Sequence, residues 1–339
     1  AAPAAQQFGE TMSIERLAAI GVVVKNLEDA MTNYARLLGV TEWQVAEVSD
    51  EAARSHGRTN AGGYRSARGV AGAIPYELVQ PTTGETAFKE FLLTKGEGIC
   101  FLSFVVDEVP ELDLAVAHEI RAEGGEARQF LDTRKVLGGY LVEFTTTAAP
   151  LPGAQNVTVE RPAGVGDPIP MDHIFHFGVL VDDVMAALPH YRDIFGIDSF
   201  AMKTWQHERG RLDDPMYRGE KKSTGYFTAQ GFVADVGFEI IQVNYGDCHY
   251  NREFTDDRGT GIHHIFPWMT RDESEWQRAC ADAKALDADL CMGSPLRDGA
   301  AEFGYWDTFD ALGGYLIEGV IRRHEPAPEY AEPDWTVTY

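Results

Sequence analysis

FGVLVDDVMAALPHYRDIFGI, residues 177–197, repeats IGVVVKNLEDAMTNYARLLGV, residues 20–40. Each stretch reads as a β-branched strand running into an amphipathic helix. In the first copy Leu27, Met31, Tyr34 and Leu38 share one helical face, with Asn26 placed to cap the helix and Gly39 to stop it. Two more blocks recur in the same order. YRSARGVAGAIPYELVQP, residues 64–81, returns as YFTAQGFVADVGFEIIQV, residues 226–243, and LDTRKVLGGYLVE, residues 131–143, returns as WDTFDALGGYLIE, residues 306–318. Three blocks in one order indicate a duplicated unit of about a domain's length.

Each half divides again into two strand–helix–strand modules. The second module of the first half is expected to open with ICFLSFVV (99–106), form a helix over ELDLAVAHEIRAEGG (111–125) and close with GGYLVEFTT (138–146). Its counterpart reads IHHIFPWM (262–269), helix SEWQRACADAKAL (274–286) and GGYLIEGV (313–320). The expected fold class is α+β, a tandem repeat giving two pseudo-symmetric domains. The boundaries read as a disordered arm over 1–13, an N-terminal domain over 14–150, a Pro- and Gly-rich linker over 151–170, a C-terminal domain over 171–322 and an extended tail over 323–339.

Composition narrows the function. The 339 residues carry a formal net charge of −24, spread along the chain, which repels phosphate backbones and anionic membrane surfaces. No apolar run is long enough to span a bilayer, and the opening AAPAAQQ lacks the basic and apolar parts of a secretory signal. Cys100, Cys248, Cys280 and Cys291 show no close pairing, which fits free thiols and a cytoplasmic location. Cys248 beside His249 suggests a nucleophile, but no third partner is visible, and an ordinary thiol is the preferred reading.

The two copies differ where chemistry would sit. Alignment sets His176 against Ala19 and His264 against Phe101, while Glu239 and Glu318 face Glu77 and Glu143. Two imidazoles and two carboxylates from four strands facing a common cleft suit one borderline divalent ion: Zn, Ni, Co, Mn or Fe. A lone histidine on an apolar strand is usually structural, yet here two appear in one copy of a repeat and not in the other. Glu239 is the weaker candidate, because the copy without histidines keeps Glu77. His263 alternates with His264 and is expected to point to the opposite face as a packed histidine. His173 falls out of register.

The strand HFGVLVDD, the strand FEIIQV, the strand GIHHIF and the ending WDTFDALGGYLIEGV together resemble the vicinal oxygen chelate superfamily over nearly the whole chain. The closing block is most similar to the glyoxalase I and methylmalonyl-CoA epimerase branch. The resemblance implies paired βαβββ modules and a His–Glu–His–Glu metal set at His176, Glu239, His264 and Glu318. It also implies an N-terminal half that is a structural pseudo-copy. Its chemistry would be proton movement at a metal-chelated carbonyl, as in an isomerase, epimerase or lyase, with Glu239 or Glu318 as the catalytic base. The alternative is an Fe(II) dioxygenase of the extradiol or 4-hydroxyphenylpyruvate type, using His176, His264 and Glu318. A non-catalytic sequestering protein is a third class, for which the histidines would be unnecessary.

The expected partner is a small carbonyl compound, aromatic or bulky to match the aromatic residues around the site, with homo-oligomerisation left open. The second half is longer by five residues between His176 and Glu239 and by twelve between His264 and Glu318. The first insertion gathers His207, Arg209, Arg211, Arg218, Lys221 and Lys222, a basic patch that either holds a substrate anion or is paired with its own acids.

Overall fold

A computed structural model describes residues 12–121, 127–148, 151–207 and 211–339; the Ala-rich start and Arg209 lie outside these. Among the described residues the chain forms two curled mixed sheets of eleven strands each, one drawn from residues 14–158 and one from 176–338. The architecture is the expected α+β duplication. Both opening helices, Leu27–Leu38 and Val184–Phe195, begin under a side-chain cap, Asn26 on Asp29 N and Asp183 on Ala186 N.

At the centre of the first sheet, Ile74–Pro81 runs parallel to Ile14–Val23, which pairs antiparallel with Gly98–Val106, which is parallel to Leu141–Thr145. The second sheet repeats this with Val236–Tyr245, His176–Leu180, Gly261–Thr270 and Leu316–Arg322. Register confirms the repeat alignment: Gly21 lies between Glu77 and Phe101, and Gly178 between Glu239 and His264. A Cβ on Gly178 would come within 1.9 Å of the His264 ring, and one on Gly21 within 2.1 Å of the Phe101 ring. Both positions exclude a side chain because a ring occupies its place.

One expected helix is absent. In place of the helix over 111–125, Val116–Ile120 is a strand that pairs with Ala53–Ser55, and residues 122–126 lie outside the described residues. Leu112, Leu114 and Val116 recur with a period of two, so the alternation outweighed the helix propensity of the alanines. The corresponding segment of the second half does form a helix, Glu273–Ala285.

The halves meet through a reciprocal pair of tyrosines. Tyr34 of the first opening helix donates to Leu312 O at 3.0 Å and lies 2.9 Å from the Tyr315 hydroxyl. Tyr191 of the second opening helix donates to Leu137 O at 2.8 Å and accepts from Tyr140 at 3.1 Å. The acceptors sit in the two LGGY turns, so each closing block docks on the other half's opening helix. Apolar residues of both halves, including Ile20, Phe104, Phe177 and Phe238, form one continuous core on the convex faces of the sheets. Part of the linker, Gln155–Thr158, adds a strand to the first sheet, and Trp335–Thr338 of the tail adds one to the second. No helix among the described residues is long and apolar enough to cross a membrane.

Candidate metal centre

Four adjacent strands of the second sheet bring His176, Glu239, His264 and Glu318 together on its concave face. His176 Nε2 lies 3.1 Å from Glu318 Oε2 and 3.4 Å from Glu239 Oε2. His264 Nε2 lies 3.3 Å from Glu318 Oε2, 3.7 Å from Glu239 Oε2 and 3.4 Å from His176 Nε2. Two donors each about 2.1 Å from a shared ion sit about 3.0–3.4 Å apart at octahedral to tetrahedral angles. The spacings among His176, His264 and Glu318, 3.1–3.4 Å, fall in that range, so these three donors fit a single divalent ion, with Glu239 beside them at 3.4 and 3.7 Å from the two imidazoles. His176, His264 and Glu318 are buried, and Glu239 is the most open of the four, with 13% of its side chain exposed.

Electrostatics point the same way. Burial would push the Glu318 carboxyl up, but its contacts with His176 and His264 outweigh this and hold it at about 2. Burial likewise opposes charge on His264, while Glu239 and Glu318 raise its pKa overall. Two carboxylates converging in a buried cleft call for a cation, since an uncompensated buried charge costs several kcal/mol or more.

The first half supplies that cation covalently. Arg128, on the strand Arg128–Leu131, donates to Glu77 through Nη1 and Nη2, both at 3.0 Å. It also donates to Glu143 through Nε at 2.7 Å and Nη2 at 2.9 Å. Arg68 adds a bond to Glu77 at 3.0 Å. Burial would raise the Glu77 carboxyl, yet the two guanidinium groups bring it to about 2. By register Arg128 corresponds to Phe303 in the second half, beside the matching pair Leu131 and Trp306. A guanidinium thus bridges the carboxylates where histidines are missing, at a cavity of about 690 Å³ lined in part by Ala19, Ser103, Leu114 and Arg128.

His263 does not point away from His264. Gly178 pairs with His264 and Val179 with Ile262, so His263 is the extra residue of a β-bulge. The first half carries the same bulge at Cys100, between Phe101 and Ile99. As a result His263 Nδ1 lies 3.0 Å from His264 Nδ1, and His263 Nε2 lies 2.9 Å from His249 Nδ1. An ion held at His264 Nε2 would fix the tautomers outward: His264 Nδ1–H would then donate to His263 Nδ1, His263 Nε2–H to His249 Nδ1, and His249 Nε2, 3.5 Å from Glu253 Oε2, would carry the last proton. Burial keeps His263 and His249 neutral, with His249 lowered to about 4.

His249, Cys291 and Asp307 form a second group of potential donors, but Arg218 already pairs with both Asp307 and Glu253. Cys248 is a buried thiol pushed up by burial. The basic insertion is largely neutralised: Arg211 binds Asp334, Arg218 binds Glu253 and Asp307, Lys221 binds Asp214 and Lys222 binds Glu220. His207 faces Leu212 O, and His173 lies off the site with Asp235 O.

Residues 19–134 match the profile of the Glyoxalase/Bleomycin resistance protein/Dioxygenase superfamily. No curated protein sequence matches the chain. Among solved structures, a triple mutant of 4-hydroxymandelate synthase from Streptomyces coelicolor is similar with a TM-score of 0.63 at 12% identity, over 93% of this chain and 95% of that one. A xylose isomerase-like TIM barrel/4-hydroxyphenylpyruvate dioxygenase fusion protein is matched over 94% of this chain and 50% of its own length, at 12% identity and a TM-score of 0.45. The profile match is confined to the first half, the internal repeat carries the same topology through the second, and the fold of the whole chain is like that of 4-hydroxymandelate synthase.

Proposed function

We propose that the C-terminal half is a metal-dependent catalytic site that moves a proton on a carbonyl compound, as an isomerase, epimerase or lyase, with Glu239 as the base. The observation that carries this reading is the position of Glu239. It stands 3.4 and 3.7 Å from the two imidazoles yet is the most open of the four donors, so one carboxylate borders both the ion's place and the substrate's. His176, His264 and Glu318 would hold the ion, and Zn, Ni, Co, Mn or Fe suits the donor set. When bound, the ion supplies Lewis-acid polarisation of a carbonyl oxygen and its neighbour. Glu239 takes the proton from the adjacent carbon and returns it. Phe266, Phe303 and Val320, buried on the same concave face, exclude water and favour an apolar or aromatic substrate body.

A second reading, an Fe(II) dioxygenase, is favoured by two observations. His176, His264 and Glu318 form a two-imidazole, one-carboxylate set with donor atoms all within 4.8 Å of one another. One solved structure similar over nearly the full length is a mutant of 4-hydroxymandelate synthase. Candidate carbonyl compounds and catechols, assayed without oxygen on zinc-loaded protein in deuterated water, separate the two. Proton transfer predicts turnover with deuterium entering the substrate, sharply reduced in Glu239→Gln. Turnover that requires Fe(II) and consumes oxygen mole for mole would establish the dioxygenase.

A further inference from the structure

The concave face that carries the metal donors also carries cations that form no salt bridge among the described residues, although Glu239 lies near enough to Lys203 to favour its charge. Lys203 lies on the strand Ser199–Trp205, opposite Thr228, and alternates with Trp205 on one face. Thr228 pairs onward with Ile241, two residues from Glu239 and on the same face of its strand. Arg322 follows Glu318 and Val320 at a period of two along Leu316–Arg322, so it continues the ligand face to the strand's end. Arg297, just beyond the strand Leu290–Leu296, reaches toward the same region.

Trp205 ties two of these cations together. Its indole is fixed by a hydrogen bond from Nε1 to Thr228 Oγ1 at 2.9 Å. Lys203 Nζ lies 5.9 Å from the ring centre and Arg297 Cζ lies 5.5 Å from it. Arg297 Nε is buried with no hydrogen-bond partner, which is costly for a charged donor unless something arrives to accept from it. Neighbouring arginines behave differently: Arg211, Arg218 and Arg323 each bind at least one carboxylate. In a chain with a net charge of −24, unsatisfied cations gathered beside a catalytic cleft are the exception.

We propose that Lys203, Arg297 and Arg322 form an anion-binding mouth to the metal site, selecting a substrate with a second carboxylate remote from its chelating oxygens. This inference rests on the metal-chelation reading of the same cleft. The mutual repulsion of the group supports it: burial, Arg297 and Arg211 bring Lys203 down to about 8, and burial, Arg322 and Arg211 lower Arg297. A bound carboxylate would accept from Arg297 Nε and Lys203 Nζ through charge-assisted hydrogen bonds and relieve that repulsion. Trp205 would form the apolar wall between the anion and the metal.

Calorimetric titration of zinc-loaded protein tests the mouth separately from the chelating site. 2-Oxoglutarate and 2-oxoadipate are compared with 2-oxovalerate and 2-oxohexanoate, which have the same chelating end and an uncharged tail. The distal carboxylate is expected to tighten binding at least tenfold for one of the two lengths. That gain should fall to twofold or less in Arg297→Gln and in Lys203→Met, with the uncharged acids unaffected and Arg322→Gln giving a partial loss. Equal affinity for charged and uncharged tails in the wild type overturns the mouth and leaves the chelation reading standing. If no 2-oxo acid binds although zinc is retained, chelation fails, and glutarate titrated into His264→Ala decides the mouth alone. Binding there that Arg297→Gln abolishes supports it, and no binding overturns it.

Discussion

At the residue scale, the identity of a single ring decides what each half can do. His264 and Phe101 occupy the same place over Gly178 and Gly21, and the space beneath each ring is too small for a methyl group. Gly178→Ala is therefore expected to displace His264 and cost about 1–3 kcal/mol of stability together with most of the metal affinity. Gly21→Ala should cost similar stability and leave metal content unchanged. Thermal melts and metal analysis of the two variants check the contrast. Arg128 answers the same electrostatic problem in the other half. Removing it as Arg128→Met leaves Glu77 and Glu143 buried without their main partner, with an expected loss of about 3–5 kcal/mol. A pH series sharpens this prediction. Glu77 is held at about 2 when folded against an ordinary 4.5, so its stabilisation is present above pH 4.5 and lost as the pH falls toward 2. The wild type should lose stability across that window, and the Arg128→Met variant should lack that slope in urea titrations. The histidines were legible because a repeat provides its own control: one copy has them and the other does not. Arg128 was not, because its partners Glu77 and Glu143 lie on other strands, and Lys203 and Arg297 were not, because only the folded register brings them beside the site.

At the scale of the element, one extra residue in a strand changed the reading of a histidine. Strict alternation sends His263 to the far face, whereas the bulge turns it toward His264 Nδ1 at 3.0 Å. Nothing in GIHHIF distinguishes a bulged strand from a regular one. The matching bulge at Cys100 shows that it belongs to the fold of both halves and does not require a histidine. His263→Leu removes the acceptor that holds the His264 tautomer. It should weaken metal binding about 10–100-fold without unfolding the protein, as competition with a chromophoric chelator would measure. The strand over 116–120 gives the complementary lesson. A helix was expected there, but the period-two apolar pattern and pairing with the strand Ala53–Ser55 prevailed. Elements with strong periodicity and caps, such as Leu27–Leu38 and Val184–Phe195, were readable to within a residue or two.

At the scale of the whole molecule, the duplication is also the assembly principle. Each LGGY turn serves the opposite half, with Gly139 pressed on Thr260 O and Gly314 on Glu97 O, so neither half completes its own convex core. The motif was visible as a repeat, but its role in joining the halves was not, since nothing in a sequence says which copy a turn will meet. Tyr34→Phe and Tyr191→Phe should each cost about 1 kcal/mol and lower the single thermal transition together, with no separate melting of either half. In the proposed function one half of this duplication holds a metal ion, and the other has Arg128 in its place. The most direct test is the metal content of purified wild type, His176→Ala/His264→Ala and Arg128→Met proteins by elemental analysis after loading with zinc and removal of excess. One equivalent per chain in the wild type and in Arg128→Met, and none in the double histidine variant, is the predicted result. A full equivalent retained without the two histidines would place the ion elsewhere in the molecule.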